Sequence, residues 1–177
     1  MKRPIAIACL HIFLCGCASQ PPASPEVAVP DQLRPDATQS AFTTLAARGV
    51  QIYECRTKKD NPGAAEWAFV APEAQLYDAN GKLVGKHYAG PHWESTDGSK
   101  IVGSVTARAN APQAGAIPWL LLSTKSDGPS GVFAKVTSIQ RVSTMGGAAP
   151  AEGCSGTSLG KTARVVYSAD YVLFAQR

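Results

Sequence analysis

The chain is poor in charged and in aromatic side chains. Charged residues make up 17% and aromatic residues 7% of its 177 residues, whereas an average soluble domain has about 25% charged residues. Together with 16 Gly and 13 Pro, which indicate many turns, this composition excludes a coiled coil, a long helical bundle and a disordered tail protein. The formal net charge of +4 is small and spread along the chain, which excludes a nucleic-acid binder that relies on charge.

The chain also lacks the common catalytic and cofactor-binding motifs. No Gly-x-Ser-x-Gly elbow presents a nucleophile, and no Gly-x-Gly-x-x-Gly follows a strand. Gly160-Lys161-Thr162 lacks the spacing of a phosphate-binding loop. We therefore expect no cofactor, and we favour a binding or structural protein over an enzyme.

The first 17 residues have the features of a bacterial lipoprotein signal. Two basic residues precede an apolar run that is too short to span a bilayer as a permanent helix. Leu-Cys-Gly-Cys at residues 14–17 resembles the lipobox, which implies cleavage before Cys17 and attachment of lipid to its thiol. The alternative is an ordinary secretory signal that is cut at Ala18 or later.

Residues 18–30 are predicted to be an extended tether between the lipid and a globular body. The segment holds four prolines and one charged residue, so it cannot bury a core and favours polyproline II. The alternative is that it packs along the domain. Ala18 and Ser19 follow Cys17, with no Asp at the second position. In enteric-type bacteria this pattern resembles the signal that directs a lipoprotein to the outer membrane. We expect a membrane partner through the lipid on Cys17, with the protein on the periplasmic face of the outer membrane.

The cysteines that remain after export predict one disulfide. Cys9 and Cys15 leave with the signal and Cys17 carries the lipid, so Cys55 and Cys154 are left. Two cysteines in an oxidising compartment favour a bridge. Neither lies in a Cys-x-x-Cys arrangement, so a metal site is a poor alternative.

The body, residues 31–177, is predicted to be a single all-β domain. One short helix is expected over residues 36–48, with Asp36 as its N-cap and Gly49 at its end. Seven to nine short strands follow, without any βαβ alternation. Asn80-Gly81 is the strongest hairpin signal, residues 96–99 predict a further turn, and Ala71-Pro72 is expected to end a strand.

Residues 50–55 alternate as in a strand, with Gln51, Tyr53 and Cys55 on one side. The unbroken apolar run at residues 117–123 predicts a strand buried on both faces, or one whose helix alternative is blocked by Pro118. The last strand is expected to bend or break at residues 168–170. The predicted fold is a β-sandwich or barrel with one short N-terminal helix.

Spaced motifs along the body carry a resemblance to a known family. They include GVQIYEC (49–55), Trp67, PEA (72–74), GKH (85–87), GPHW (90–93), DGS (97–99), IPWLLL (117–122), IQR (139–141) and GC (153–154). In this order they resemble the domain of unknown function 3455 family, over residues 30–177. The resemblance implies an exported, mostly β domain of bacteria and fungi, and it implies no reaction. Some fungal relatives carry a malate dehydrogenase label, which the missing dinucleotide motif does not support.

The densest polar and aromatic cluster is the candidate site. It holds His87, His92, Trp93 and Glu94, with Asp97 a few residues on. We expect a small ligand pocket built around His87 and Trp93, with a small molecule or an envelope protein as its ligand and no nucleic acid.

Two other interpretations of this cluster stay open. A metal-dependent hydrolase would use His87 and His92 with Glu94 or Asp97. A structural interpretation buries His87 against backbone and leaves His92 at the surface. We expect Trp93 in a loop rather than in the core, and Trp119 in the core.

Overall fold

A computed structural model describes residues 28–177, in which eight antiparallel strands form a closed barrel. The strands are β1 Gln39–Thr57, β2 Ala65–Tyr77, β3 Leu83–Tyr88, β4 His92–Ser95, β5 Lys100–Ala109, β6 Trp119–Ser126, β7 Val136–Gly146 and β8 Thr162–Gln176. The all-β class is thus confirmed, as a barrel rather than a sandwich. The predicted signal peptide, Cys17 and most of the predicted tether lie outside the described residues. Within residues 28–177 no helix is long and apolar enough to cross a membrane.

The helix predicted over residues 36–48 is wrong, because this segment is the first half of β1. The Asp36 carboxylate accepts hydrogen bonds from the backbone N–H and the hydroxyl of Thr38, so it stabilises a turn rather than a helix. Leu45 and Ala47 are buried at alternate positions along a strand. From Gln39 onward the segment pairs with β8, and this tertiary pairing overrides the helical preference of its alanines. A 3₁₀ helix, Asp31–Leu33, precedes β1 instead.

β1 closes the barrel because it pairs with both of its neighbours. It pairs with β8 from Gln39 to Glu54 and with β2 from Ala46 to Thr57. The predicted alternation at its end is confirmed, with Gln51 and Tyr53 buried and Ile52 less so. Inward-facing and outward-facing side chains therefore alternate along the wall.

Two expectations about strand ends need correction. β2 does not end at Ala71-Pro72: it runs on to Tyr77, with Pro72 opposite Gln51 and a register shift at Val70. β8 runs unbroken through residues 168–170, where a bend was expected.

The hairpin predicted at Asn80-Gly81 is confirmed as the β2–β3 turn. Gly81 adopts a φ of 77°, the left-handed conformation that glycine tolerates best. The Asp78 carboxylate accepts the backbone N–H groups of Asn80 and Lys82 and so holds the turn together.

Phe133 fills the end of the barrel that we call the closed end. It lies in the 3₁₀ helix Val132–Lys135 between β6 and β7 and is 2% exposed. The Asp97 carboxylate accepts the backbone N–H of Val132 at 2.8 Å and the Ser99 hydroxyl at 2.6 Å. That hydroxyl accepts the backbone N–H of Phe133 at 2.9 Å. The turn predicted at residues 96–99 therefore positions the aromatic plug.

A second apolar cluster lies outside the barrel. Leu33 packs against Trp119 and Val142, and all three are buried. The Leu33 carbonyl accepts a hydrogen bond from the Gln140 side chain at 2.7 Å. Because Leu120 and Leu122 face the interior, β6 is buried on both faces, as its unbroken apolar run predicts. The core position predicted for Trp119 is confirmed.

The disulfide between Cys55 and Cys154 is present, with the two Cα atoms 5.4 Å apart. It joins the end of β1 to the long connection between β7 and β8. The Trp67 indole N–H donates to the Glu152 carbonyl at 2.9 Å and holds the same connection against β2. The bridge lies at the end of the barrel opposite to Phe133, which we call the open end.

We expect Phe133→Ala to lower the free energy of unfolding by about 3–5 kcal/mol, because it leaves a cavity under the closed end. Urea denaturation followed by circular dichroism measures this. The matched control is Val132→Ala, since Val132 is 48% exposed and its loss is expected to cost less than about 0.5 kcal/mol. Equal losses for the two variants would contradict the role of Phe133 as a plug.

Candidate functional site

The open half of the barrel encloses a cavity of about 370 Å³. Pro91 and Pro118 line it from the β3–β4 and β5–β6 connections, which lie at the open end. Phe69 and Val105 line it at the rim and are about half exposed. The other side chains along its walls are Gln51, Tyr53, Pro72, His87, Trp93, Arg108, Ile117, Leu120, Leu122, Arg141 and Tyr171.

His87 forms part of the cavity wall and is 3% exposed. Its ring stacks on Trp93 at a centroid distance of 4.0 Å and meets the edge of Tyr171 at 5.2 Å. Nδ1 lies 2.8 Å from the backbone carbonyl of His92. A carbonyl only accepts hydrogen bonds, so Nδ1 carries the proton and Nε2 is left as an acceptor.

Burial keeps the His87 ring neutral. It lowers the pKa of His87 from 6.5 to about 3, against the opposing effect of the hydrogen bond to the His92 carbonyl. The positive charge of Arg141 lowers the pKa further. At neutral pH the residue is therefore an uncharged aromatic acceptor.

Trp93 lies in β4 and is 1% exposed, so the expectation that it lies in a loop outside the core is wrong. A glycine on the neighbouring strand makes room for its ring. A Cβ atom added at Gly103 would lie 2.8 Å from the Trp93 ring and 3.2 Å from Leu122. Trp93 thus belongs both to the core and to the cavity wall.

His92 and Glu94 point away from the cavity. His92 Nδ1 donates to the Ala89 carbonyl at 2.7 Å, and Nε2 lies 2.9 Å from the Asp127 carboxylate. The Glu94 carboxylate accepts the Tyr88 hydroxyl at 2.6 Å and lies 3.1 Å from Lys86 Nζ. These contacts form a polar cluster on the outer surface.

The structure therefore brings together two of the four predicted pocket residues. His87 and Trp93 share the cavity, whereas His92 and Glu94 lie on the other side of the barrel wall. Asp97 is at the closed end. The imidazoles of His87 and His92 lie on opposite sides of the wall and do not converge on a common metal position. Within residues 28–177 no group of three or more His, Cys, Asp and Glu side chains is arranged to hold a metal.

Two polar residues that the sequence does not predict for the pocket, Gln51 and Arg141, join His87 in the cavity. The basic residues of the body are scattered along the sequence, and nothing local distinguishes Arg141 from those at the surface. Arg141 lies directly opposite Leu120 on one side and Tyr171 on the other, and side chains that face each other across strands share a face. Ile139 faces the interior, and side chains two residues apart on a strand share a face, so the alternation of β7 indicates that Arg141 faces the interior as well.

Close packing at the open end fixes one wall of the cavity. The Tyr53 hydroxyl donates to the Gly147 carbonyl at 2.6 Å. Gly147 has a φ of 82°, and a Cβ there would lie 2.8 Å from Tyr167 and 3.1 Å from Gln51. Only glycine fits this position without strain.

The low pKa of His87 predicts that the protein loses stability in acid. Between pH 6.5 and about 3 the unfolded chain binds a proton at His87 that the folded chain does not. The free energy of unfolding therefore falls with falling pH, by up to about 1.4 kcal/mol per pH unit from this residue. His87→Gln removes the contribution, so we expect the stability difference between the native chain and this variant to shrink as the pH is lowered.

Urea denaturation over a pH series measures that difference. His92→Gln is the control, because it changes an outward-facing imidazole and leaves the His87 contribution in place. Parallel pH curves for the native chain and His87→Gln would contradict the neutral, buried state of His87.

The comparisons with known proteins agree with the resemblance found in the sequence. A family model described as a protein of unknown function, DUF3455, matches residues 35–175. The match runs from before the start of β1 to nearly the end of β8 and includes every residue that lines the cavity. A comparison with curated proteins found no match. The chain belongs to the DUF3455 family.

Proposed function

We propose that this protein is a lipid-anchored binding module of the bacterial cell envelope, which holds one small and largely apolar molecule inside the barrel. The observation that carries the proposal is the cavity of about 370 Å³ at the open end. Its volume lies within the range of about 300–1,000 Å³ that is usual for small-molecule sites. Eight-stranded barrels have an interior wide enough for one small ligand.

The chemistry of the walls supports binding rather than catalysis. Stacked His87 and Trp93, with Tyr171 at their edges, offer flat aromatic surfaces to a ligand. Leucine, isoleucine and proline form much of the remainder. Among residues 28–177, the side chains that line the cavity include no Asp, Glu, Ser or Cys, which are the usual nucleophiles and carboxylate bases.

The envelope location rests on the N-terminal motif and on the disulfide. The lipobox-like residues 14–17 support lipid attachment at Cys17, and a structural disulfide suits an oxidising compartment. Val29 packs against the outer apolar cluster of the barrel. The described end of the predicted tether, residues 28–30, thus lies on the outside of the wall.

We expect the neutral fluorescent probe phenylnaphthylamine to bind the protein at one saturable site, with energy transfer from tryptophan. Leu120→Trp places an indole inside the cavity and is expected to abolish this binding. Val105→Trp, at the exposed rim, tests the same point without changing a buried position. Val166→Trp is the matched control, because Val166 is 75% exposed and does not line the cavity.

Fluorescence titration measures the binding, and thermal melts show whether each variant is folded. Loss of binding in the two cavity variants, with binding kept in Val166→Trp, is the expected result. Failure of the native protein to bind the probe would contradict the proposal, as would equal binding by a folded Leu120→Trp variant.

Cys17→Ser is expected to abolish incorporation of labelled palmitate and to move the protein from the membrane to the soluble fraction, because the thiol is the site of lipid attachment. Cys15→Ser is the control, since a small residue at that position suits a lipobox. Metabolic labelling and fractionation measure both effects. Labelling that survives in Cys17→Ser, or a native protein that is never labelled, would contradict the anchor and favour an ordinary secretory signal.

A further inference from the structure

The cavity contains a cation that has no acidic partner. Arg141 projects into the barrel from β7 and lies in one cross-strand row with Arg108, Leu120 and Tyr171. All four side chains line the cavity. No acidic side chain lines it, and no salt bridge joins Arg141 to a carboxylate among residues 28–177.

The guanidinium of Arg141 is held in place and is only partly used. Nε and Nη2 lie 3.0 and 2.7 Å from the carbonyl oxygen of Pro118, and both donate to it. An arginine side chain has five N–H donors, and a further one interacts with the Tyr171 hydroxyl, so two remain for another partner. This carbonyl anchor fixes the orientation of the planar group before any ligand binds, which lowers the entropy cost of recognition.

Other polar groups of the cavity wall are also hydrogen-bond donors without partners. Gln51 and Trp93 both line the cavity and are at most 3% exposed. Within the described residues, neither Gln51 Nε2 nor Trp93 Nε1 has a hydrogen-bond partner. Buried donors are nearly always satisfied in native proteins, so an excess of them marks a place for an acceptor.

The charge state of the neighbours leaves the positive charge of Arg141 uncompensated. Arginine stays protonated at every ordinary pH. His87 is a neutral ring, and burial raises the pKa of Tyr171, so that neither becomes an anion near neutral pH. Arg141 is partly buried, and a charge that is partly withdrawn from water without a partner is costly, so an anion in the cavity reduces that cost.

We infer that the ligand of this cavity is an amphipathic anion, whose apolar body lies against the aromatic wall and whose oxyanion group binds Arg141. The inference rests on the proposed binding function and adds the chemical class of the ligand. Carboxylate, sulfonate and phosphate groups share the planar or forked oxygen geometry that a guanidinium recognises with two hydrogen bonds. Arg108, which is exposed at the rim, lies on the path of entry and attracts the same charge.

The test compares two probes that differ by one ionised sulfonate group. Anilinonaphthalene sulfonate has the ring system of phenylnaphthylamine with one added sulfonate group. The native protein is expected to bind the sulfonate more tightly than the neutral probe. Arg141→Met is expected to weaken sulfonate binding on the order of ten- to hundredfold, which is the usual effect of losing hydrogen bonds to a charged group. The loss of affinity for the neutral probe is expected to be much smaller, because that probe has no group for the guanidinium to bind.

Two further variants separate recognition of the anion from other effects. Arg164→Met removes one cation from the outer surface, where Arg164 pairs with Glu73, and is expected to leave both affinities unchanged. Arg141→Lys keeps the charge without the fork and is expected to restore part of the sulfonate preference. Thermal melts on each variant show that the barrel is folded.

The outcomes distinguish this inference from the proposed function. If the neutral probe binds in the cavity but the sulfonate binds no more tightly, the anion inference is overturned and the binding module stands. If Arg141→Met weakens both probes equally, Arg141 acts only by holding Pro118, which also overturns the inference. If neither probe binds the native protein, the proposed function itself fails.

Discussion

Closure of the barrel by the pairing of β1 with β8 is the constraint on which the other features depend. Once the wall is closed, every strand has one face inside and one face outside, and a residue's position along its strand decides its environment. His87 and His92 show the effect: they are five positions apart in the chain, yet one ring is buried in the cavity and the other pairs with Asp127 on the surface. The same alternation places Arg141 inside, although it is as polar as the arginines that remain outside.

The interior of the barrel has two halves with different chemistry. Phe133, Ile139 and Leu173 fill the closed half, and a hydrogen-bond network from Asp97 holds the plug in place. The open half keeps its volume because rigid aromatic rings and two connection prolines form its wall. Separating a packed half from a cavity-bearing half lets the barrel keep a well-filled core while part of its interior stays open. Arg141, which forms no salt bridge within residues 28–177, lies in the open half.

Local patterns predicted much of the fold and little of the site. Some features can be recognised from a few neighbouring residues: the alternation at residues 50–55, the Asn80-Gly81 turn and the apolar run of β6. The disulfide follows from a count of the cysteines that remain after the predicted export. The segment at residues 36–48 was misread because its alanines favour a helix in isolation, and its strand conformation depends on a partner more than 100 residues away. Trp93 was misread because its burial requires Gly103 on the next strand. Arg141 was missed because its positive charge suggests a surface position, whereas strand alternation places it on the same face as Ile139.

The disulfide shortens the covalent path between β1 and β8, the two strands whose pairing closes the barrel. Cys55 and Cys154 are separated by 99 residues, and the bridge encloses β2 to β7 in one covalent ring. With the bridge formed, only the short segment from Cys154 to Thr162 separates β8 from the end of β1. The longest-range strand pairing of the fold then becomes a nearly local one, with a small loop-closure entropy. Oxidation is thus a step that brings the barrel's two edges together, and the folding rate of this chain depends on the redox state of the compartment in which it folds.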